Sequence, residues 1–236
     1  MLNSVYRHVV VPFQDFIYPP ICFTCDQLLK DHEARVCSAC WSSFTSLHPD
    51  DPTYTEIGEK FNADGMVQDF LACFLFEKEG KLQEIVHLLK YRGIKSLGVR
   101  LGREIGGRIQ DKSEFASADY LIPVPLHKLK QRERGYNQSE YLCQGISEVT
   151  HIPTHASLIV RKKYTESQTK LNLLQRQENV GSAFAINPKH RSCVQGKSLI
   201  IVDDVITTGS TINACAKELV AAGASSVFAA SVAIAK

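Results

Sequence analysis

Two adjacent aspartates, Asp203 and Asp204, stand before a short loop of hydroxyl residues and one glycine at 207–211. An apolar, β-branched run at 198–202 predicts a buried strand ahead of them, and helical periodicity follows as far as Gly223. The first amides of a helix lack intrahelical partners and carry partial positive charge, so the loop suits a phosphate. The carboxylates would repel phosphate and suit hydroxyls or a divalent cation. The pattern therefore predicts a sugar-phosphate site with a metal ion.

Two other interpretations of this stretch are an ordinary strand-to-helix turn and a P-loop. An ordinary strand-to-helix turn needs one capping Asp, Ser or Thr, whereas here an acid pair precedes a whole run of hydroxyl residues around Gly209. The triplet Gly-Lys-Ser at 196–198 resembles the end of a P-loop. However, Arg191 stands where the first P-loop glycine is required, and the triplet precedes the strand instead of following it. The P-loop is therefore excluded.

Four cysteines form two C-x-x-C pairs separated by eleven residues. Each pair presents two thiolates on one turn, and two such turns complete a tetrahedral zinc site. The spacing predicts zinc held by Cys22, Cys25, Cys37 and Cys40. A thioredoxin-type redox pair is disfavoured because no strand–helix context surrounds the cysteines. Cysteine turns that have lost their metal are the other alternative.

Basic and aromatic residues lie within and just after this predicted ribbon: Lys30, His32, Arg35, Trp41 and Phe44. Basic and aromatic side chains on one surface can bind single-stranded nucleic acid. A module of this size can equally serve as a structural clamp, and the sequence leaves both roles open.

The composition is that of an ordinary globular protein. The 236 residues are 44% hydrophobic and 22% charged, and the net charge of +2 selects no class of partner. The apolar run at 9–11 is too short for a signal-peptide core, and no run of about 18 apolar residues occurs. We expect a cytoplasmic protein without membrane insertion, whose reduced cysteines are more suited to metal than to disulfides.

The rest of the chain alternates apolar runs with helical patterns. We predict helices at 1–20, 81–91, 96–110 and 139–149, strands at 66–77, 119–124, 157–164 and 226–234, and a linker at 48–65. Glycines at 98, 102 and 106 indicate close packing of one helix. The alternation predicts an α/β fold, in which a parallel sheet carries helices on both faces, plus a small N-terminal zinc module with four cysteine ligands.

A basic loop is predicted after the strand at 119–124, with four cations against the single Glu133: Lys128, Lys130, Arg132 and Arg134. Ligands of open α/β sheets bind beyond the carboxyl ends of the strands, where this loop would lie. A solvated basic loop is the plainer interpretation. A polar stretch at 165–180 could close over a charged ligand as a lid.

The other cysteines and histidines show no pattern. We expect four cysteines to be buried or incidental: Cys73, Cys143, Cys193 and Cys215. No metal-ligand spacing links six histidines: His8, His48, His87, His151, His155 and His190. No general base is evident.

Several separated segments together resemble the ComF/GntX family. They are the two C-x-x-C pairs, KYRG at 90–93, and the segments at 123–140, 167–184 and 202–211. The last, VDDVITTGST, is similar to the phosphoribosyl-pyrophosphate (PRPP) motif of type I phosphoribosyltransferases. The resemblance implies a zinc-ribbon-like module at 1–50 and a phosphoribosyltransferase-like domain at 51–236, associated with DNA uptake in natural transformation.

The same resemblance implies roles for individual residues. Asp203 and Asp204 would hold the ribose hydroxyls, and the loop would bind the 5′-phosphate, with Mg²⁺ accompanying PRPP. The implied PRPP-binding set is Asp203, Asp204, Val205, Thr207, Thr208, Gly209, Ser210 and Thr211. The segment after Pro125 would be the pyrophosphate loop, and residues 164–180 the flexible loop. The ribbon would replace the hood that selects the nucleophile in related enzymes.

Two functions are therefore expected. The first is a phosphoribosyltransferase that displaces pyrophosphate from PRPP with an unknown acceptor. Its catalytic residues would be Asp203, Asp204, Arg132 and Arg134: the carboxylates would stabilise an oxocarbenium-like sugar, and the arginines, with Lys163, the leaving group. The second is a non-catalytic, PRPP-regulated adaptor that binds single-stranded DNA. Its partners would be competence proteins such as a DNA-uptake helicase.

Overall fold

The computed structural model describes residues 19–31, 33–161 and 183–236. Residues 1–18 of the first predicted helix lie outside the described residues, as do the predicted lid at 165–180, Lys163 and His32.

The described elements alternate between helices and strands along most of the chain. The helices are α1 (Ser38–Trp41), α2 (Pro52–Asp64), α3 (Lys81–Tyr91), α4 (Lys95–Gln110), α5 (Ser113–Ala116), α6 (Lys128–Arg134), α7 (Gln138–Thr150) and α8 (Ser210–Ala221), with a 3₁₀ helix at Pro188–Cys193. The strands are β1 (Asp69–Phe76), β2 (Tyr120–Pro123), β3 (Ile159–Arg161), β4 (Phe184–Ile186), β5 (Ser198–Ile206) and β6 (Ser226–Ala235).

Four parallel strands form the main sheet in the order β1-β6-β5-β2. One row of residues crosses all four strands in register: Phe70, Ala229, Ile201 and Ile122. The central strands β5 and β6 are largely apolar and buried because helices cover both of their faces. The predicted α/β fold with a parallel sheet is thus confirmed.

Helices α4 and α7 pack on one face of the sheet, and α2 and α8 pack on the other. The α4 and α7 backbones nearly touch. A Cβ atom on Gly102 would lie 2.1 Å from the Leu142 carbonyl oxygen, and one on Gly145 would lie 2.0 Å from that of Val99. Only glycine fits at such a crossing, which confirms the close packing predicted for this helix.

The predicted linker at 48–65 was wrong, since most of it forms α2. Asp51 caps this helix by accepting a hydrogen bond from the Thr53 amide at 2.8 Å, and Pro52 occupies its first position. Gly65 ends it in the left-handed conformation, and Ile57 and Phe61 are buried. The Asp, Pro and Gly residues that favoured a linker are instead the two ends of a helix.

Three other predictions require correction. The basic loop after β2 forms α6, which His127 caps and Gly135 ends with a φ of 75°. The strand predicted at 157–164 begins at Ile159, and its described part, β3, pairs antiparallel with β4 in a separate two-stranded sheet. The strand predicted at 198–202 continues to Ile206, so the two aspartates lie within β5 and not after it.

In the part of the chain that the structure describes, none of the helices combines the length and apolar character needed to cross a membrane.

Candidate functional site

The sugar-phosphate site predicted from the sequence lies where the sheet changes its direction of winding. Helix α7, which leads from β2 to the segment bridged to it at Thr154, packs on one face, and α8, which follows β5, packs on the other. Pairing between β5 and β2 ends at Val202, whereas pairing with β6 continues to Ile206. The last residues of β5 therefore project beyond β2 at a switch point, which is where ligands bind in open α/β sheets.

The two aspartates have different surroundings. Asp204 is buried, with 5% of its surface exposed, and its Oδ1 accepts a hydrogen bond from the Val205 amide at 2.9 Å. Its Oδ2 forms an ion pair with Lys90 Nζ at 2.5 Å, without the alignment of a hydrogen bond. Asp203 lies beside the pocket formed by the hydroxyl loop. One carboxylate is thus held by a cation, and the other faces the space where a ligand would lie.

Burial and the adjacent charge of Asp204 raise the pKa of Asp203 from 3.8 to about 8, although its own hydrogen bond with the Asp204 amide and the charge of Lys90 oppose the shift. Between pH 3.8 and about 8, the folded protein therefore keeps a proton on Asp203 that the unfolded chain has already released. As the pH rises through this interval, the free energy of unfolding falls. A cation or a set of hydroxyl donors at Asp203 would offset this loss.

We therefore expect Asp203→Asn to stabilise the ligand-free protein by roughly 1–3 kcal/mol at pH 8–9, and to have little effect near pH 4. Thermal unfolding across this pH range measures the difference. Asp119→Asn is the matched control with the opposite sign, because hydrogen bonds from Lys197 and the Ser198 amide lower the pKa of Asp119. A pH-independent effect of Asp203→Asn would contradict the assignment.

The hydroxyl loop presents the start of α8 to the pocket. Gly209 occupies the N-cap position with a φ of 75°, and it has no side chain to occupy the first amides. A Cβ atom there would lie 2.8 Å from Phe61 Cε1. The hydroxyl oxygens of Thr208 and Ser210 lie 2.8 Å apart at the same edge. The pocket is lined by Asp203, Val205, Ile206, Thr207, Thr208, Gly209, Ser210, Thr211 and Ile212. These amides and hydroxyls can donate to a phosphate.

The structure separates the two arginines that were predicted to be catalytic. Arg134 donates a hydrogen bond to Gln138 Oε1 at 2.8 Å, and its guanidinium lies 5.0 Å from the centre of the Tyr91 ring. Tyr91 follows Lys90, so contacts link Arg134 to the partner of Asp204. Arg132 is exposed on α6, and no described contact connects it with the aspartates.

Sequence reasoning missed three residues that support this site. Lys90 pairs with Asp204, Phe61 packs under Gly209, and Asp64 accepts a hydrogen bond from the Asn213 side-chain amide of α8. Lys90 belongs to the KYRG segment of the family resemblance, which was a signal that could have identified it. Phe61 and Asp64 were missed because residues 48–65 were predicted to be a linker.

The four ribbon cysteines converge as predicted, and their Sγ atoms all lie within 4.8 Å of one another. Cys25 Sγ and Cys37 Sγ are 3.7 Å apart, close to the edge of about 3.8 Å expected for a tetrahedron with Zn–S bonds of about 2.3 Å. The Cys37 and Cys40 amides donate to the Sγ atoms of Cys22 and Cys37 at 3.3 and 3.4 Å. This arrangement fits zinc.

The ionisation of these thiols also favours the binding of a cation. Burial raises the pKa of Cys22, but hydrogen bonds from Thr24 and the Cys37 amide outweigh it and lower the pKa to about 6. The Gln27 amide lowers the pKa of Cys25, yet burial and the neighbouring thiols raise it to about 12. One thiolate forms readily, and its negative charge opposes the ionisation of the neighbouring thiols. A divalent metal ion removes this repulsion.

The ribbon is docked firmly on α4. Arg100 donates to the Val36 carbonyl at 2.8 Å, and its guanidinium lies 3.7 Å from the centre of the Trp41 ring. Trp41 Nε1 donates to Glu104 at 2.9 Å, while Phe44 is buried against Phe74. Because both aromatic residues are engaged in packing, the structure favours the clamp over a base-stacking surface for this module.

Comparison with known proteins agrees with both parts of the structure. Residues 13–70 match the double zinc ribbon domain, and residues 146–236 match the phosphoribosyl transferase domain. The DNA utilization protein YhgH of Shigella flexneri is 32% identical over 149 residues, which are 62% of this chain and 64% of that protein. Competence protein F of Haemophilus influenzae is 38% identical over 99 residues, 42% of this chain and 43% of that protein.

The first of these matches spans less than two thirds of the relative's length and the second less than half. Among solved structures, a glutamine PRPP amidotransferase from B. subtilis complexed with ADP and GMP aligns with 56% of this chain and 26% of its own, at 22% identity and a TM-score of 0.39.

Fold and site thus define a type I phosphoribosyltransferase-like protein with an N-terminal double zinc ribbon and four zinc-binding cysteines. The resemblance to the ComF family is confirmed by relatives named competence protein F and competence protein ComFC.

Proposed function

We propose that the protein binds PRPP with Mg²⁺ and displaces pyrophosphate from the ribose anomeric carbon. The observation that carries this proposal is the pocket at the carboxyl end of β5, where Asp203 and the first amides of α8 line the same space. The amides would hold the 5′-phosphate. The carboxylates would accept hydrogen bonds from the ribose hydroxyls and stabilise positive charge on the sugar.

A divalent cation fits this site because Asp203 presents a carboxylate whose ionisation is opposed by a second acid. Mg²⁺ prefers oxygen ligands, and when bound it would neutralise charge on the departing pyrophosphate. Arg134, held in place by Gln138 and Tyr91, would add electrostatic stabilisation. Arg132 and Lys163 would serve the leaving group.

We place this activity in DNA uptake in the cytoplasm. The names of the relatives, a DNA utilization protein and a competence protein, support the link to DNA uptake. The acceptor would be a small nucleophile or a nucleic acid, and competence proteins such as a DNA-uptake helicase would be the partners.

A second candidate is a non-catalytic adaptor that binds single-stranded DNA and uses PRPP as a regulator. Helix α6 favours it, because its seven residues include four cations and none is buried. A surface of this kind holds phosphates electrostatically without reading bases.

Calorimetric titration tests the binding step. We expect one PRPP molecule per chain in the presence of Mg²⁺, and binding of pyrophosphate alone at least about 10-fold weaker because it lacks the ribose hydroxyls. The absence of heat with PRPP would refute the proposal. Pyrophosphate release from bound PRPP, assayed with nucleobases, amines and single-stranded DNA, then separates the candidates. Acceleration by an acceptor supports the transferase, and tight binding without release supports the adaptor.

A further inference from the structure

A second cluster of metal-binding side chains lies far from the ribbon in sequence. His155, His190 and Cys193 each offer a ligand atom, and these three atoms lie within 4.8 Å of one another. The rings of His155 and His190 have their centres 4.8 Å apart and are nearly perpendicular, at 75°. All three residues are partly exposed, so an ion can reach them from solvent.

The local backbone explains why these side chains meet. His190 and Cys193 lie three residues apart on the 3₁₀ helix Pro188–Cys193, and in that helix side chains at this spacing point the same way. Asn187 caps the helix by accepting a hydrogen bond from the Lys189 amide at 3.2 Å. The two ligands of this helix are thus already aligned on one face.

The third side chain is brought in by the edge of the main sheet. The His155 amide donates to the Leu121 carbonyl of β2 at 2.9 Å, directly after the bridge between Leu121 and Thr154. Asn187 then joins the two segments, because its backbone amide donates to the Leu158 carbonyl at 2.8 Å and its side chain to the Ser157 carbonyl at 3.1 Å. The segments that carry the ligands are therefore held together by hydrogen bonds of the backbone and of the Asn187 side chain.

The cluster lies at the opposite end of the sheet from the hydroxyl loop. His155 packs against Tyr120, the first residue of β2, and the 3₁₀ helix precedes β5. The hydroxyl loop follows the last residue of β5. An ion bound here would not contact a ligand in that pocket.

We propose that His155, His190 and Cys193 form a second zinc site. Two imidazoles and a thiolate are ligands that zinc prefers, whereas Mg²⁺ prefers oxygen. Three protein ligands leave the fourth position of a tetrahedral ion to water or to an external donor. On binding, the Cys193 thiol releases its proton to solvent and its sulfur coordinates the metal. Lys189 and Arg191 oppose a cation, but both are exposed and screened by water.

Such an ion would connect the 3₁₀ helix to the segment around His155, which covers the outer edge of β2. It would therefore stabilise the docking of the β3–β4 sheet on the main sheet. This role is independent of PRPP, so the proposal stands or falls apart from the proposed function.

Zinc titration of the full chain, with the ribbon already loaded, tests the proposal. We expect the wild type to take up one further Zn²⁺ per chain and to take up no Mg²⁺ at this site. His155→Asn, His190→Ala and Cys193→Ser are each expected to weaken this second event by more than about 100-fold, because each removes a direct ligand. His48→Ala, an exposed histidine outside the cluster, should retain it. Absence of the second event in the wild type, or its survival in any of the three variants, would overturn the site.

A spectroscopic measurement covers the case in which a variant folds poorly. In the wild type with the ribbon already loaded with Zn²⁺, added Co²⁺ should give a thiolate-to-metal absorption band from Cys193, because the four ribbon thiolates are occupied. The Cys193→Ser variant, loaded in the same way, should not show this band. A cobalt spectrum without a thiolate band, or a band that persists without Cys193, would reject the proposed ligand set.

Discussion

Replacing Asp203 and Asp204 together by alanine is expected to abolish PRPP binding. In the proposed complex both carboxylates accept hydrogen bonds from ribose hydroxyls, and hydrogen bonds to charged groups contribute about 1.5–3 kcal/mol each. The loss of two such bonds weakens binding by at least about 100-fold. Calorimetry with Mg²⁺ and PRPP should detect no heat at concentrations that saturate the wild type.

The double substitution also leaves Lys90 without its partner, so a conservative version is needed. Asp203→Asn with Asp204→Asn keeps the shape of both side chains and removes the charge, and it should lose PRPP binding while retaining the wild-type circular dichroism spectrum. Asp111→Ala, an exposed acid at the far end of α4, is the control and should bind PRPP normally. Wild-type affinity in the folded asparagine variant would show that the acids do not hold the sugar.

Cys22→Ser is expected to remove the ribbon zinc and to unfold the ribbon, while the pocket formed by the hydroxyl loop stays intact. Serine is a poor zinc ligand, and structural zinc supplies about 10–16 kcal/mol of folding free energy in isolated zinc-finger peptides. Cys22 is fully buried, and its Sγ accepts the Cys37 amide at 3.3 Å, so metal and backbone order are lost together. Elemental analysis should show one zinc ion fewer per chain.

The pocket residues belong to β5 and α8, and none of them is a ribbon residue. PRPP binding by Cys22→Ser should therefore remain, while limited proteolysis begins to cut between residues 19 and 48. Gln27→Ala is the matched control, because this exposed side chain lies between the two cysteine pairs and Gln27 contacts them only through its backbone amide and carbonyl, which the substitution keeps. Unchanged zinc content in Cys22→Ser would contradict the ligand set.

The family resemblance, the parallel sheet and the positions of the two candidate sites could be predicted because their signals are local. Two cysteines on one turn, or an acid pair followed by Thr-Thr-Gly-Ser-Thr, place their functional atoms together whatever the rest of the chain does. Helix α3 was predicted with its observed ends, since its apolar face repeats at helical spacing over the whole element. The domain boundary between residues 50 and 51 and the individual ligand roles stay predictions.

Errors arose where one residue type serves two kinds of structure. Asp51, Pro52 and Gly65 favour a loop when counted by composition, yet they cap and end a helix once Ile57 and Phe61 have an apolar surface to cover. Likewise, the cations after β2 were assigned to a loop because charge dominates that stretch, although His127 and Gly135 supply helix ends.

What the sequence alone determined is therefore which chemically active residues stand side by side: four cysteines with the spacing of a zinc ribbon, and an acid pair followed by a loop of hydroxyl residues. Only the tertiary structure decided which distant residues join them. It placed Lys90 against Asp204, 114 positions away in the numbering, and it brought His155 to His190 and Cys193. Such contacts depend on how strands are ordered and how segments dock at a sheet edge. Those arrangements are set by long-range packing and leave no fixed spacing in the chain.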